Sequence, residues 1–132
     1  TVGEIKEKHP NALIVSESTG HFRQYGRDPY DGYTENDRFV FDPSNLDNRY
    51  HPKELFMAFR AGDSVVAVRQ GTFPADTTKT VTVDETEYSV SNENGGFIVT
   101  TTDGNEIPFY FEMWFSVALQ NEDGLTILDP GA

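Results

Sequence analysis

The densest group of side chains that could bind a ligand lies between Tyr25 and Tyr33. The segment reads YGRDPYDGY and contains three Tyr, one Arg and two Asp. An Arg can hold a carboxylate or phosphate through two parallel hydrogen bonds, and Tyr rings beside it can form flat walls. In the alternative, the Tyr rings pack on a sheet edge, and Arg27 pairs with Asp28 or Asp31. The segment therefore predicts either a binding loop or a self-packed one.

Acidic side chains continue beyond this segment and suggest a site for Ca²⁺. Carboxylate and amide oxygens are the ligands that Ca²⁺ prefers, and several such residues fall close together here. Their spacing does not follow an EF-hand loop, and a solvated run of acids explains the same pattern. Ca²⁺ is the only cofactor that we consider. Its candidate ligands are Asp28, Asp31, Glu35, Asn36 and Asp37.

A second polar segment, Asn45 to Glu54, contains the minimum for general acid–base chemistry. Its sequence, NLDNRYHPKE, places a His near carboxylates, and His exchanges a proton readily near neutral pH. No nucleophile elbow, phosphate-binding loop or HExxH pattern accompanies it. In the alternative, the segment is an extended turn before the next strand, because Pro52 disfavours helix at His51.

These residues support two functional hypotheses. In the first, the chain is a non-catalytic module that binds a protein or small-molecule partner, or serves structurally, through the Tyr/Arg/Asp loop, since Tyr and Arg are typical interface anchors. In the second, the chain is a hydrolase in which His51 acts as base and Asp28 or Asp47 orients it. Arg27 would then stabilise the negative charge that develops. The hydrolase requires both segments to meet in one cleft.

Composition narrows the classes of protein to which the chain can belong. Its 132 residues include 22 acids against 10 bases, for a net charge of −12. Such a surface repels phosphate backbones, which excludes non-specific nucleic-acid binding. The absence of Cys excludes thiolate nucleophiles, Cys-ligated metals and disulfides. No apolar run is long enough to insert into a membrane. Because the sequence opens within a predicted helix and without Met, we expect a fragment or processed part of a longer chain.

The elements that must position these residues are mostly strands. We expect a single domain over residues 1–132, mainly β (α+β), with about seven to nine short antiparallel strands and two short helices. One helix is predicted from Val2 to His9 and ends at Pro10; the other runs from about Phe111 to Gln120, and its Trp114 packs on the sheet. Strands are predicted over Ala12–Val15, Arg38–Phe41, Leu55–Phe59, Ser64–Arg69, Thr80–Val83, Tyr88–Ser91, Phe97–Thr102, Glu106–Phe111 and Leu125–Leu128.

Two distant segments of the sequence have a similar pattern. KEKHPNALIVSE near the start and LQNEDGLTILDP near the end both predict the end of a helix, a tight turn and a short apolar strand. The similarity is too short to establish a duplicated fold by itself.

The two polar segments, in this order, resemble an uncharacterised prokaryotic family, domain of unknown function 3179. The resemblance covers most of the chain and is weakest in the middle strands. It is carried by Lys8-His9-Pro10, LIVSESTG, YGRDPYDGY, NLDNRYHPKE, the hairpin from Leu55 to Arg69 and the helix MWFSVALQ.

The resemblance implies an extracytoplasmic setting, secreted or on the cell surface, but no established activity. Fuller members carry an upstream Cys-Pro-x-Cys-Gly segment and often an export or lipoprotein signal, neither of which stands in this sequence. The positions that match the family's polar segments are the first candidates for ligand-binding or catalytic residues. They are Tyr25, Arg27, Asp28, Tyr30, Arg49, His51 and Lys53.

Overall fold

The computed structural model describes residues 1–22, 24–40 and 42–131. The chain divides into two compact units, Thr1–Asp31 and Gly32–Ala132. All the strands assigned among the described residues lie in the second unit. The assignment of residues 1–132 to one domain stays a prediction.

The first unit contains helix α1 (Val2–Lys8). Thr1 caps the helix: its hydroxyl accepts a hydrogen bond from the Glu4 N–H, and the Glu4 carboxylate accepts one from the amino terminus. This reciprocal pair satisfies two backbone donors that a helix start leaves unpaired. The helix ends at Lys8, and its C-cap His9 precedes the Pro that cannot continue it. The prediction of helix α1 is confirmed, with one residue fewer at its end.

The second unit contains seven strands, one α-helix and a single 3-10 turn (Gln70–Thr72) among its described residues. The strands form two sheets, one of four strands and one of three. The elements are β1 (Leu55–Ala61), β2 (Ser64–Arg69), β3 (Thr77–Val83), β4 (Thr86–Glu93), β5 (Gly96–Thr101), β6 (Phe109–Met113), α2 (Trp114–Gln120) and β7 (Leu125–Leu128).

The four-stranded sheet has the order β6-β1-β2-β7. Its centre is the hairpin of β1 and β2, which turns at Gly62 with a φ of +63°, a conformation that favours glycine. Strand β6 pairs antiparallel with β1, whereas β7 pairs parallel with β2. Helix α2 connects β6 to β7, which run parallel to each other at the two edges of this sheet, and such a connection requires a crossover.

The three-stranded sheet is an antiparallel meander in the order β3-β4-β5. The turn between β4 and β5 contains Asn94 and Gly95, both with positive φ. Asn-Gly is the preferred pair for a two-residue hairpin of this kind, since both residues tolerate the left-handed region. The alternation of apolar and polar residues along these strands leaves one face against the core and one exposed.

Apolar side chains cover both faces of the hairpin, and each face packs on a different partner. Met57 and Phe59 of β1 point towards the three-stranded sheet and join a core with Tyr88 and Val90. Their neighbours along β1 point the other way, against α2, in a second core that includes the fully buried Trp114. The predicted packing of the Trp114 helix on the sheet is confirmed.

The fold class is confirmed: short, mainly antiparallel strands in two sheets with two short helices. Two predicted strands are wrong, and the predicted bounds of several elements differ from the observed ones; the strand predicted over Glu106–Phe111, for example, is β6 at Phe109–Met113. Residues Ala12–Val15 form no strand, and neither do residues 38–40; Phe41, the end of that second predicted strand, lies outside the described residues. Helix α2 begins at Trp114 rather than near Phe111, because residues up to Met113 pair with β1.

Candidate functional site

The Tyr/Arg/Asp loop of the first unit is held by its own side chains. The Asp28 carboxylate accepts the Tyr30 N–H at 2.8 Å, which fixes the turn around Pro29. The Tyr25 hydroxyl lies 2.7 Å from that of Thr19. Both Tyr side chains remain exposed.

Arg27 lies in this loop, and the alternatives for it were ligand binding or pairing with Asp28 or Asp31. Among the described residues, no ion pair or hydrogen bond of the Arg27 side chain is found. Arg27 is an exposed residue, and in the sequence it stands between the exposed Tyr25 and Tyr30.

Large apolar side chains are also exposed in this unit. Leu13, Val15 and Phe22 have relative exposures of 100%, 95% and 101%, the highest of any large hydrophobic residues described. Scattered exposed hydrophobics are common, but three fully exposed ones within ten positions are not a feature of an ordinary solvated loop.

In the second unit, Lys53 is the centre of a hydrogen-bond network with residues 33–38. It is only 4% exposed, and its ammonium donates to the carbonyls of Tyr33 at 2.7 Å, Asn36 at 2.5 Å and Arg38. It also lies 3.7 Å from the centroid of the Tyr33 ring. The sequence placed Lys53 among the ligand-binding residues; in the structure its three protons are used to hold residues 33–38.

His51 lies at the edge of this network, and it bonds Asp37 rather than Asp47. Its Nε2 is 3.1 Å from the Asp37 carboxylate, and its Nδ1 accepts the Lys53 backbone N–H at 3.3 Å. In the neutral ring the proton then lies on Nε2, so both nitrogens are engaged. A cavity of about 170 Å³ is lined by Asp37, Phe39, His51, Pro52 and Lys53.

Asp47 and Arg49 form a pair beside α2. The Arg49 guanidinium donates twice to the Asp47 Oδ2, at 2.9 and 2.7 Å, and lies 5.1 Å from the Trp114 ring. These hydrogen bonds from Arg49 hold the pKa of Asp47 below its usual value. The indole N–H of Trp114 donates to the Asp47 carbonyl at 2.9 Å. Arg49, a predicted ligand-binding residue, is thus committed to the packing of α2.

Sequence reasoning missed a second Arg network. Arg69, the last residue of β2, donates to Glu54 at 2.6 Å and to Asp129 at 3.1 Å. Thr72 also donates to Asp129. Burial alone would raise the pKa of Asp129, but the hydrogen bonds from Thr72, the Gly131 N–H and Arg69 lower it overall. No local signal in the sequence links Arg69 to a carboxylate 60 positions away.

Among the described residues, no three acidic or His side chains converge on a point where a metal ion would be held. The candidate Ca²⁺ ligands instead engage the chain itself: Asp28 accepts from Tyr30, Asp37 meets His51, and the Asn36 amide oxygen accepts from Arg38 and Lys53. Asp31 and Glu35 are exposed. Neither helix of the described chain has the length and apolar character needed to cross a bilayer.

Comparison with known proteins gives one result. A family model described as "Protein of unknown function (DUF3179)" matches residues 1–126 of the 132. Comparisons with curated proteins and with solved structures give no significant match.

Proposed function

We propose that this chain, which belongs to the uncharacterised DUF3179 family, is a non-catalytic module that binds a partner protein through its first unit. The proposal rests on one observation: the exposed Arg27 side chain has no hydrogen bond or ion pair among the described residues, in a loop that also carries the exposed Tyr25 and Tyr30. Other candidate binding residues, Arg49 and Lys53, are engaged within the second unit. Of these candidate Arg and Lys side chains, the one left without a partner among the described residues is therefore Arg27.

The exposed apolar residues of the same unit support a protein partner over a small ion. Leu13, Val15 and Phe22 offer surface whose burial against a partner would be favourable by roughly 25 cal/mol per Å² of apolar area. Tyr and Arg beside such surface are the residue types that dominate binding energy at interfaces.

The distribution of charge is consistent with binding through the first unit. Thr1–Asp31 contains five acids and four bases, whereas Gly32–Ala132 contains seventeen acids and six bases. The acidity of the chain is thus almost entirely a property of the second unit. A partner that presents a carboxylate to Arg27 meets nearly balanced charge in the first unit itself.

The test is photocrosslinking in the native host, with a benzophenone amino acid at Phe22. We expect a defined crosslinked product from the wild-type chain, and its loss in the triple variant Tyr25→Ala/Arg27→Ala/Tyr30→Ala. The matched control is Arg60→Ala/Tyr110→Ala, which removes an exposed Arg and Tyr from the four-stranded sheet. The control should keep the product. A product that survives the triple variant with unchanged yield would remove the loop from the binding function.

The alternative function, a hydrolase that uses His51, has one observation in its favour: His51 and Asp37 line a small cavity. A general base needs a free nitrogen directed at the substrate, and the Lys53 N–H engages Nδ1 while Asp37 engages Nε2. Asp47, one of the proposed orienting groups, is bonded by Arg49. The arrangement therefore favours binding. The alternative predicts that His51→Ala abolishes turnover of a panel of activated esters; we expect no turnover to lose.

We also propose that the chain acts outside the cytoplasm, as the resemblance to the family implies. Fractionation of the native host, followed by immunodetection with an antibody against the chain, tests this setting. Detection only in the cytoplasmic fraction would contradict it.

A further inference from the structure

The two segments with a similar sequence pattern also share features of local geometry when they are aligned at the ends of their helices. Helices α1 and α2 have seven residues each, and the residues that follow them, His9 and Asn121, share a φ angle, −134° and −133°, with ψ angles of 77° and 36°. The turn that follows closes with the same hydrogen bond: Ala12 N–H to the His9 carbonyl at 2.9 Å, and Gly124 N–H to the Asn121 carbonyl at 3.3 Å. We name residues 2–15 the first closing segment and residues 114–127 the second.

The second closing segment covers the four-stranded sheet. Its strand β7 extends the edge of β2 in parallel, and α2 packs on one face of the hairpin. Four of its apolar residues make these contacts, and the first closing segment has an apolar residue at each matching position. The pairs are Val2 with Trp114, Ile5 with Val117, Leu13 with Leu125, and Val15 with Ile127.

The difference between the two segments is what they cover. The four matching residues of the first closing segment are all exposed, from 50% at Ile5 to 100% at Leu13. A strand of this length is stable only when it is paired, and no strand among the described residues pairs with Leu13 to Val15 as β2 pairs with β7. The first closing segment therefore has the form of a sheet-covering element without its sheet.

We infer that the first closing segment docks on a partner domain of this same architecture, where Leu13–Val15 adds a parallel strand to an open edge equivalent to that of β2. This inference rests on the proposed function and names its partner class. In a copy of this chain that edge is taken by β7 and the face by the larger Trp114, so a separate domain with an open edge is the occupant.

Charge supports this occupant. The first closing segment carries two acids and two bases, and Lys6 stands where the second has Ala118. The second unit of this chain is the example of that architecture on which the charge can be counted, and it has seventeen acids against six bases. A balanced segment with two lysines in its helix suits an acidic sheet domain better than a second acidic element would.

The chain's own four-stranded sheet can be used to test whether the first closing segment is able to replace the second. In the graft, residues 121–127 are replaced by HPNALIV, the sequence of residues 9–15. Ala fits at Gly124, because a Cβ there meets no atom closer than 3.5 Å and the residue has no positive φ. We expect the thermal unfolding midpoint of the graft to stay within about 5 °C of the wild-type value.

The control for the graft shifts the strand by one residue. Leu125→Ile/Thr126→Val/Ile127→Ser places the sequence of residues 14–16 in β7 and puts Ser on the core face, which should lower the midpoint by roughly 10 °C or more. If the grafted turn prevents folding, the test uses a second variant that grafts the strand alone, Thr126→Ile/Ile127→Val. A strand graft as unstable as the shifted control overturns the inference.

A benzophenone amino acid at Val15 then identifies the partner in the native host. We expect a crosslink to an apolar strand of a domain with a β1–β2-type hairpin, mapped by mass spectrometry. If Val15 gives no product while Phe22 does, the binding function stands and the inference is overturned. A Val15 product on a helical or loop surface also overturns it. Absence of a product at both positions removes the binding function itself.

Discussion

The Lys53 ammonium lies 3.7 Å from the centroid of the Tyr33 ring and donates to the carbonyl of the same Tyr at 2.7 Å. It reaches two further carbonyls of the loop, at Asn36 and Arg38. These carbonyls lie outside the helices and strands of the described chain, and the buried ammonium supplies the hydrogen bonds that hold them. The Lys53 ammonium, a positive charge of the chain itself, therefore orders residues 33–38.

Lys53→Met should release this loop. The substitution keeps roughly the volume of the buried side chain but removes the ammonium that donates to three loop carbonyls, so we expect a loss of about 2–4 kcal/mol in the free energy of unfolding. Urea denaturation measures the loss, and hydrogen exchange should show faster exchange in residues 33–38. Lys79→Met on β3 is the matched control and should change stability by less than about 0.5 kcal/mol. Equal effects of the two variants would contradict this role.

Trp114→Phe tests how much the indole N–H of Trp114 contributes to holding α2. The variant retains a ring against Phe56 and Tyr50 but loses the indole N–H that donates to the Asp47 carbonyl. It also leaves a smaller ring under Arg49. We expect a loss of roughly 1–3 kcal/mol by urea denaturation. In Arg49→Met the further effect of Trp114→Phe should shrink, since the two side chains are in contact. Full additivity would contradict the coupling.

Local patterns predicted those parts of the fold that local residues determine. The hairpin around Gly62 and the strand Leu125–Leu128 follow from apolar runs beside turn residues, and both are confirmed. The strand predicted at Ala12–Val15 is wrong, although its apolar run is as good as that of β7. The difference lies in a neighbour, because β7 has β2 beside it and a strand is defined by pairing with residues distant in sequence.

The candidate site shows the same division. The sequence indicated that Tyr25, Arg27 and Tyr30 form a polar loop, and Asp28 does fix its turn. It could not indicate that Lys53 is buried, because lysines are almost always exposed and its partners lie 15 to 20 positions away in an irregular loop. Arg49 and Asp47 are neighbours in sequence, yet their role depends on Trp114, which follows 67 positions after Asp47.

Acidification should destabilise the chain through Asp47 and Asp129. The pKa of each carboxyl is lowered in the folded state, by the hydrogen bonds from Arg49 at Asp47 and by those from Thr72, Gly131 and Arg69 at Asp129. A folded-state pKa below the unfolded value of about 3.9 contributes stability that is complete above that value. This contribution is lost as pH falls through the folded pKa.

The measurement is the urea midpoint from pH 6 to pH 2.5. It should fall below about pH 4, and Asp47→Asn should have a lower midpoint at pH 6 but a shallower decline on acidification. Asp103→Asn, which alters an exposed carboxyl in the turn after β5, should follow the wild-type profile. An Asp47→Asn profile parallel to that of the wild type would show that the Arg49 pair does not contribute to acid sensitivity.

Calcium should leave the stability of the chain unchanged. An ion that binds only the folded state must raise the unfolding midpoint by mass action, by an amount that grows with the ratio of free ion to its dissociation constant. Asp28 accepts from Tyr30 and Asp37 bonds His51, and the described candidate ligands do not converge on one point. Lys53 already supplies positive charge at the carbonyls of residues 33–38. We therefore expect the same thermal midpoint in millimolar Ca²⁺ and in excess chelator.

Mg²⁺ at equal ionic strength controls for non-specific screening of the seventeen acids in the second unit. A midpoint raised by Ca²⁺ but not by Mg²⁺ would place an ion among Asp28, Asp31, Glu35 and Asp37.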